Sequence, residues 1–163
     1  MGASTSFSSW MKCADPGNRV AEICVDASLV LSWLFVEEHS DRAYAARDTW
    51  MRQADRLIAP PMLTFEAPSV IRQAVYNNRV TQEEGDETLQ AFLDLTIDIL
   101  QPAPLVYEAW SIARSLNAPR LYNMYYVALA GLTGCEFWTA DRRLANLARS
   151  RFPFIRWIGD SLP

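Results

Sequence analysis

The chain has 163 residues, the size of one domain with a single well-formed core. Half of it is hydrophobic (50%) and 21% is charged, which excludes an intrinsically disordered chain. No apolar run reaches the roughly 18 residues of a membrane span, and the net charge of −4 argues against a protein coated for nonspecific nucleic-acid binding.

Residues 1–22 are rich in Ser, Ala and Gly and lack the continuous apolar core of a secretory signal. They read as a flexible extension, an expression remnant or a wrongly assigned start, since Met11 is also available. Ile23–Asp26 is then a short apolar strand, followed by an apolar helix over Leu29–Phe35. The lone histidine, His39, falls in the polar stretch Glu37-Glu38-His39-Ser40 and reads as a surface or capping residue. With no second histidine, a zinc site or a Ser-His-Asp triad built on other histidines is excluded. From His39 to about Ala54 a helix places Ala43, Ala46, Trp50 and Met51 at helical spacing.

Arg56–Ala59 is a strand stopped by Pro60-Pro61, whose prolines suit the first turn of a helix running from Met62 to about Asn78. Thr81 with Glu84 is a capping box opening a helix to about Asp94. Thr96–Leu100 alternates like a strand, and Pro104–Leu116 is a helix with Leu105, Ala109, Ile112 and Ala113 on one face. Tyr122–Leu132 is a strongly apolar helix, Glu136–Thr139 a strand, Arg142–Arg149 a helix and Phe154–Ile158 a last strand. Cys24 and Cys135 sit in or beside apolar strands, and together with Cys13 they show no Cys-x-x-Cys spacing. Buried free thiols and a reducing compartment, the cytosol, follow.

Strands interleaved with helices predict an α/β fold with a mostly parallel sheet of about five strands and helices on both faces. Ligands of such sheets bind beyond the carboxyl ends of the strands. Asp26 ends the first strand and Asp141 directly follows the strand at Phe137–Thr139, so both emerge on that edge. Glu66 is placed in the second turn of its helix, and Asn123 at the start of another. All four can face one cleft, where separated oxygen ligands suit a hard divalent cation and helix N-termini favour phosphate. Taken singly, Asp26 and Asp141 are ordinary N-caps and Glu66 an acid stabilised by the helix dipole. Only their joint order favours catalysis. Asp15, Asp98, Glu108 and Asp160 read as surface or loop acids.

Val25-Asp26-Ala27-Ser28, Phe65-Glu66-Ala67-Pro68-Ser69, Leu121-Tyr122-Asn123-Met124 and Trp138-Thr139-Ala140-Asp141-Arg142-Arg143 stand in the order and spacing of a known motif set. Together they resemble the PIN domain, and more narrowly the VapC-type toxin ribonucleases, over about Ile23 to Asp160. The resemblance implies a three-layer fold over residues 23–163 and an endoribonuclease using Mg²⁺ or Mn²⁺. It implies products with a 5′ phosphate and a 3′ hydroxyl. By resemblance Asp26 and Asp141 are the principal metal ligands, and Glu66 binds metal or orients the water. Ser28 and Thr139 hold the carboxylates, and Arg142 and Arg143 are candidate RNA contacts. The implied partners are RNA, a small VapB-like antitoxin and a second copy of the chain. The apolar helix near Thr81–Leu95 is a candidate dimer face, although core packing explains its pattern equally well.

Two departures bear on activity. Asn123 stands where the family has Asp, keeping an oxygen but losing a full charge. A unit charge pair at about 4 Å is worth roughly 4 kcal/mol at an effective dielectric of about 20, before desolvation. Weaker metal binding is therefore expected, and a PIN domain that binds RNA or protein without cutting is the rival reading. Pro68 removes an amide inside the helix carrying Glu66 and frees the Thr64 carbonyl, so a kink there would re-aim the acid. An unrelated doubly wound domain with Asp26 as phospho-acceptor would want more acids beside it and a lysine across the site. Lys12 is the only lysine, and the positive charge is otherwise arginine, crowded at Arg142, Arg143, Arg149, Arg151 and Arg156.

Overall fold

A computed structural model describes residues 20–160. Five strands form one sheet in the order β3-β2-β1-β4-β5. They are β1 (Glu22–Val25), β2 (Arg56–Ala59), β3 (Asp98–Ile99), β4 (Glu136–Thr139) and β5 (Ile155–Trp157). All four pairings are parallel, so the sheet expected to be mostly parallel is wholly so. Helices α1 (Ala27–Leu31), α2 (Ser40–Arg52), α3 (Leu63–Tyr76), α4 (Gln82–Leu93), α5 (Leu105–Ser115), α6 (Tyr122–Thr133) and α7 (Arg142–Ala148) cover it in a three-layer α/β fold. No helix among the described residues is long and apolar enough to cross a membrane.

The chain order explains the site's position. After β1 the chain builds outward through β2 and β3, then returns to lay β4 against the other side of β1. The order reverses between β1 and β4, which leaves a crevice beyond their carboxyl ends. Ile23↔Glu136, Cys24↔Phe137 and Val25↔Trp138 are paired, so the two strands end side by side. β1 is covered on both faces, hence its unbroken apolar run with Cys24 and Val25 fully buried. Cys24 and the partly buried Cys135 are free thiols; Cys13 and Asp15 lie outside the described residues, as does nearly all of the expected 1–22 extension.

Several expected boundaries shift for local reasons. The helix expected at Leu29–Phe35 is the shorter α1, followed by turns closed by amides of Leu34 and Phe35 on the Leu31 carbonyl. Trp33 leaves the helical path: its carbonyl accepts from the Tyr44 hydroxyl at 2.8 Å, and its indole N–H donates to the Ala43 carbonyl at 3.0 Å. The strand expected over Thr96–Leu100 shrinks to two residues: at its start the Ile97 amide turns back onto the Leu95 carbonyl, and at its end the partner β2 stops at Ala59, before Pro60. Pro60 and Pro61 precede α3 rather than entering it, their carbonyls accepting from Leu63 and Thr64. On α2, Ala43, Ala46 and Trp50 are buried, whereas Met51 is 63% exposed. Adjacent helical positions diverge by about 100°, and the larger indole takes the inside. The expected apolar face of α5 and the Thr81–Glu84 capping box are both present.

Helix α3, which carries Glu66, runs through Pro68 to Tyr76 without interruption. Its far end is fixed against α4 by a close approach at Gly85, where an added Cβ would stand 2.3 Å from Val75 Cγ2. Valine in a helix has essentially one rotamer and cannot swing aside. Gly85→Ala should therefore cost about 1 kcal/mol net, overpacking exceeding the gain in helix propensity. Chemical denaturation should show this loss, and Val75→Ala in the same chain should recover it.

Candidate metal-binding cleft

Asp26 leaves the end of β1 and caps α1. Its Oδ1 accepts from the Leu29 amide at 2.9 Å and from Ser28 Oγ at 2.7 Å, and its Oδ2 accepts from Thr139 Oγ1 at 2.6 Å. Thr139 is the last residue of β4, so this contact ties together the two central strand ends. Ser28 Oγ and Thr139 Oγ1 lie 3.2 Å apart. Each hydroxyl has one proton, and both protons are already directed at Asp26. As acceptors they take the amides of Ala140 and Asp141, at 3.0 and 2.9 Å. The two hydroxyls thereby join the carboxylate of one strand to the turn after the other.

Asp26 is only 4% exposed. Burial raises its pKa to about 6, against the lowering effect of the Thr139, Leu29 and Ser28 hydrogen bonds, and the nearby Asp141 charge adds to the rise. Asp141 is the N-cap of α7, its Oδ1 accepting from the amides of Arg143 at 2.8 Å and Leu144 at 3.1 Å. The capping reading of both aspartates is thus true, yet it leaves the Asp141 Oδ2 without a hydrogen-bond partner among the described residues.

Glu66 sits in the first turn of α3, not the second. Its Oε2 accepts a 2.6 Å hydrogen bond from the Tyr126 hydroxyl. Partial burial raises the Glu66 pKa, and the Tyr126 bond opposes this. Burial and the carboxylate push the Tyr126 phenol well above its usual range, so it remains a donor. Asn123 is exposed at the start of α6. Asp26, Glu66, Asn123 and Asp141 all line one cleft of about 490 Å³, with Ser28 and Tyr126 among its walls.

No Arg, Lys or His among the described residues pairs with these acids. The ion pairs lie elsewhere, joining Arg56 to Glu22 and Asp98, Arg149 to Asp160, and Arg156 to Glu136. Also among the described residues, no three His, Cys, Asp or Glu side chains gather into one metal-holding group. The donor set is therefore spread out: carboxylate oxygens from Asp26 and Asp141, with Glu66 and the Asn123 amide farther round the wall. This suits Mg²⁺, which keeps several waters and takes one or two protein carboxylates plus a substrate phosphate.

Arg142 and Arg143 open α7 beside Asp141 but do not line the cleft, and the Arg142 guanidinium lies 5.1 Å from the centre of the Trp157 ring. His39 occupies the N-cap position of α2 without a side-chain capping bond, and its ring meets Trp157 edge-on at 5.2 Å. Sequence reasoning missed Tyr126, read as one more apolar residue of α6. The available signal was its position three residues after Asn123, on the same helix face. Phe65 and Tyr122, also in the cleft wall, were missed likewise.

The PIN domain model matches residues 23–150. The chain is 29% identical over 131 residues to the VapC ribonuclease Mb0985 of Mycobacterium bovis and to Ribonuclease VapC9 of Mycobacterium tuberculosis, covering 80% of this chain and 94% of each relative. Among solved structures, PAE2754 from Pyrobaculum aerophilum aligns at TM-score 0.59 and 21% identity over 78% of this chain and 80% of that one. VapBC2 from Rickettsia felis, bound to a DNA fragment from their promoter, aligns at TM-score 0.60 and 11% identity over 83% and 96%. These two show likeness of fold.

The raised pKa of Asp26 sets a pH dependence. Its folded value lies above its unfolded one, so the native state holds the proton more tightly. This group's contribution to stability therefore falls as pH rises from about 4 through about 6, a loss of about 3 kcal/mol by neutral pH. Asp26→Asn keeps an acceptor and removes the charge. In chelator at pH 7.5 it should melt several degrees above the parent, with the gap closing toward pH 4 in a pH series of melting curves. Tyr126→Phe should raise the Glu66 pKa further, as read by carboxyl-carbon NMR titration.

Proposed function

The chain belongs to the PIN domain family, and on that premise we propose that it is a divalent-metal-dependent endoribonuclease of the VapC toxin type, weakened by Asn123. The observation that carries this reading is the convergence of Asp26, Glu66 and Asp141 on the β1/β4 crevice with no basic side chain to neutralise them. Carboxylates that line one crevice without a basic partner leave room for a cation held by one or two of them and by water.

Asp26 and Asp141 would hold Mg²⁺ or Mn²⁺, with Glu66 and the Asn123 amide oxygen supplying further ligands directly or through water. When bound, such an ion lowers the pKa of a coordinated water and offsets charge building on the phosphate. Ser28 and Thr139 keep both Asp26 oxygens pointed and ionised through their hydrogen bonds. The free Glu66 oxygen would take a proton from the attacking water, with the other oxygen fixed by Tyr126. Attack on phosphorus would expel the 3′ oxygen, which takes up a proton from solvent water, leaving a 5′ phosphate and a 3′ hydroxyl. Arg142 and Arg143 do not line the cleft, and as RNA contacts they would act beyond Asp141.

A small VapB-like antitoxin is the proposed restraint; the neighbour from Rickettsia felis is itself a VapBC2 assembly. A second copy of the chain is the other proposed partner, with the helix near Thr81–Leu95 as its candidate face. The free thiols of Cys24 and Cys135 suit the cytosol.

The test is cleavage of a mixed RNA pool with millimolar Mg²⁺ or Mn²⁺. The parent should cut, Asp26→Ala should not, and Asn123→Asp should cut faster and bind Mn²⁺ about tenfold or more tighter. An Asn123→Asp chain that binds Mn²⁺ no better than the parent would remove Asn123 from the site. No cutting by the parent or by Asn123→Asp would leave a PIN domain that binds without cutting.

A further inference from the structure

We infer that Trp157 is a positioning residue: its indole N–H fixes the peptide that carries Asp141 and so keeps the free oxygen of that acid turned into the cleft. This rests on the metal-site reading above and deepens it.

Trp157 ends β5 and is paired in register with Thr139, the last residue of β4. From Thr139 the chain reaches Asp141 through two peptide units, and each is held at both edges. In the first, the Ala140 amide donates to Ser28 Oγ at 3.0 Å and the Thr139 carbonyl accepts from the Ile158 amide at 3.0 Å. In the second, the Asp141 amide donates to Thr139 Oγ1 at 2.9 Å and the Ala140 carbonyl accepts from Trp157 Nε1 at 3.3 Å. A trans peptide is planar, with its N–H and C=O directed oppositely. Two such bonds therefore fix the plane, whereas one leaves it free to rock. Hydroxyls of the cleft hold the inner edges, and the outer edges are held by the Ile158 backbone and the Trp157 side chain.

The second plane matters most, because it leads directly into the Asp141 Cα. One carboxylate oxygen of Asp141 is already taken by the amides of Arg143 and Leu144. Where the other points follows from the orientation of that Cα. Thr139 holds a single edge of the plane and cannot set it alone.

The indole is itself held by three segments. The Arg142 guanidinium of α7 lies 5.1 Å from the ring centre, and the His39 ring at the start of α2 meets it edge-on at 5.2 Å. In the turn after β5, a Cβ added at Gly159 would stand 2.2 Å from Trp157 Cζ2 and Cη2. A partly buried indole N–H ordinarily finds some partner. Here the partner is the peptide beside a site acid, and the neighbours of the ring keep it there.

The experiment compares the parent with two variants in the full chain. Trp157→Phe keeps an aromatic ring for Arg142 and His39 and removes the N–H; His39→Ala removes a ring contact and leaves the N–H. A third chain carries β-(3-benzothienyl)alanine at position 157, which keeps the bicycle with sulfur in place of the N–H. It tests the contact even if Trp157→Phe does not fold. The readouts are affinity for Mn²⁺ alone by electron paramagnetic resonance, hydrogen exchange of the Asp141 amide in chelator by NMR, and melting curves. Both replacements at position 157 should bind Mn²⁺ about 5- to 10-fold more weakly, at or below the lower end for groups that bond a metal ligand directly. They should also exchange the Asp141 amide several-fold faster. His39→Ala should melt lower with neither change. Replacements at position 157 that bind Mn²⁺ and exchange like the parent overturn the proposal. So does a His39→Ala chain that loses as much on both readouts, since packing alone would then explain the effect. A parent that binds no Mn²⁺ sinks the metal reading but not this one: faster Asp141 exchange in the replacements would still uphold the hold of Trp157 on the peptide, and unchanged exchange would overturn it.

Discussion

The Thr139 hydroxyl, held 2.6 Å from Asp26, is the contact on which the rest of the cleft depends. It crosses from the end of β4 to the turn after β1, residues 113 apart in sequence, and it is possible only because the two strands pair in parallel and end level. Burying a carboxylate is costly unless its lone pairs are occupied. Here Ser28, Leu29 and Thr139 occupy them, and no buried side-chain nitrogen or oxygen among the described residues lacks a partner. Ser28 and Thr139 also receive the amides of Ala140 and Asp141, so the network that orients the first acid sets the backbone of the fourth.

That network organises charge without neutralising it. Asp26, Glu66 and Asp141 share a crevice from which arginine is absent, while Arg56 and Arg156 pair with acids of the strands and Arg142 lies over Trp157. Burial then raises the pKa of Asp26 and of Glu66. Asn123 moderates the arrangement: an exposed amide at the start of α6 contributes an oxygen but adds nothing to the repulsion.

Much of this was legible from residues alone. Asp26 and Asp141 were locatable because each follows a short apolar strand, and parallel topology forces such residues to one edge. The capping box at Thr81 and the apolar face of α5 were readable because their spacing has a single physical meaning. What escaped depended on tertiary partners. Trp33 cuts α1 short through bonds to Ala43 and Tyr44 on another helix. The third strand ends early because β2 stops at Ala59 before Pro60, a limit written in a different segment. Tyr126 looked like core, and by burial it is core; only its hydroxyl, directed at Glu66, gives it a part in the site. The contact of Arg142 with the Trp157 ring likewise joins segments far apart in the chain.

The central claim is that the crevice between β1 and β4 is built for a divalent cation. Anomalous diffraction at the manganese edge, from crystals equilibrated with millimolar Mn²⁺ at pH 7.5, tests it directly. The account predicts a peak within coordination distance of the Asp26 and Asp141 carboxylates. A cleft without anomalous signal at saturating Mn²⁺, or a peak bound only elsewhere on the surface, would contradict it.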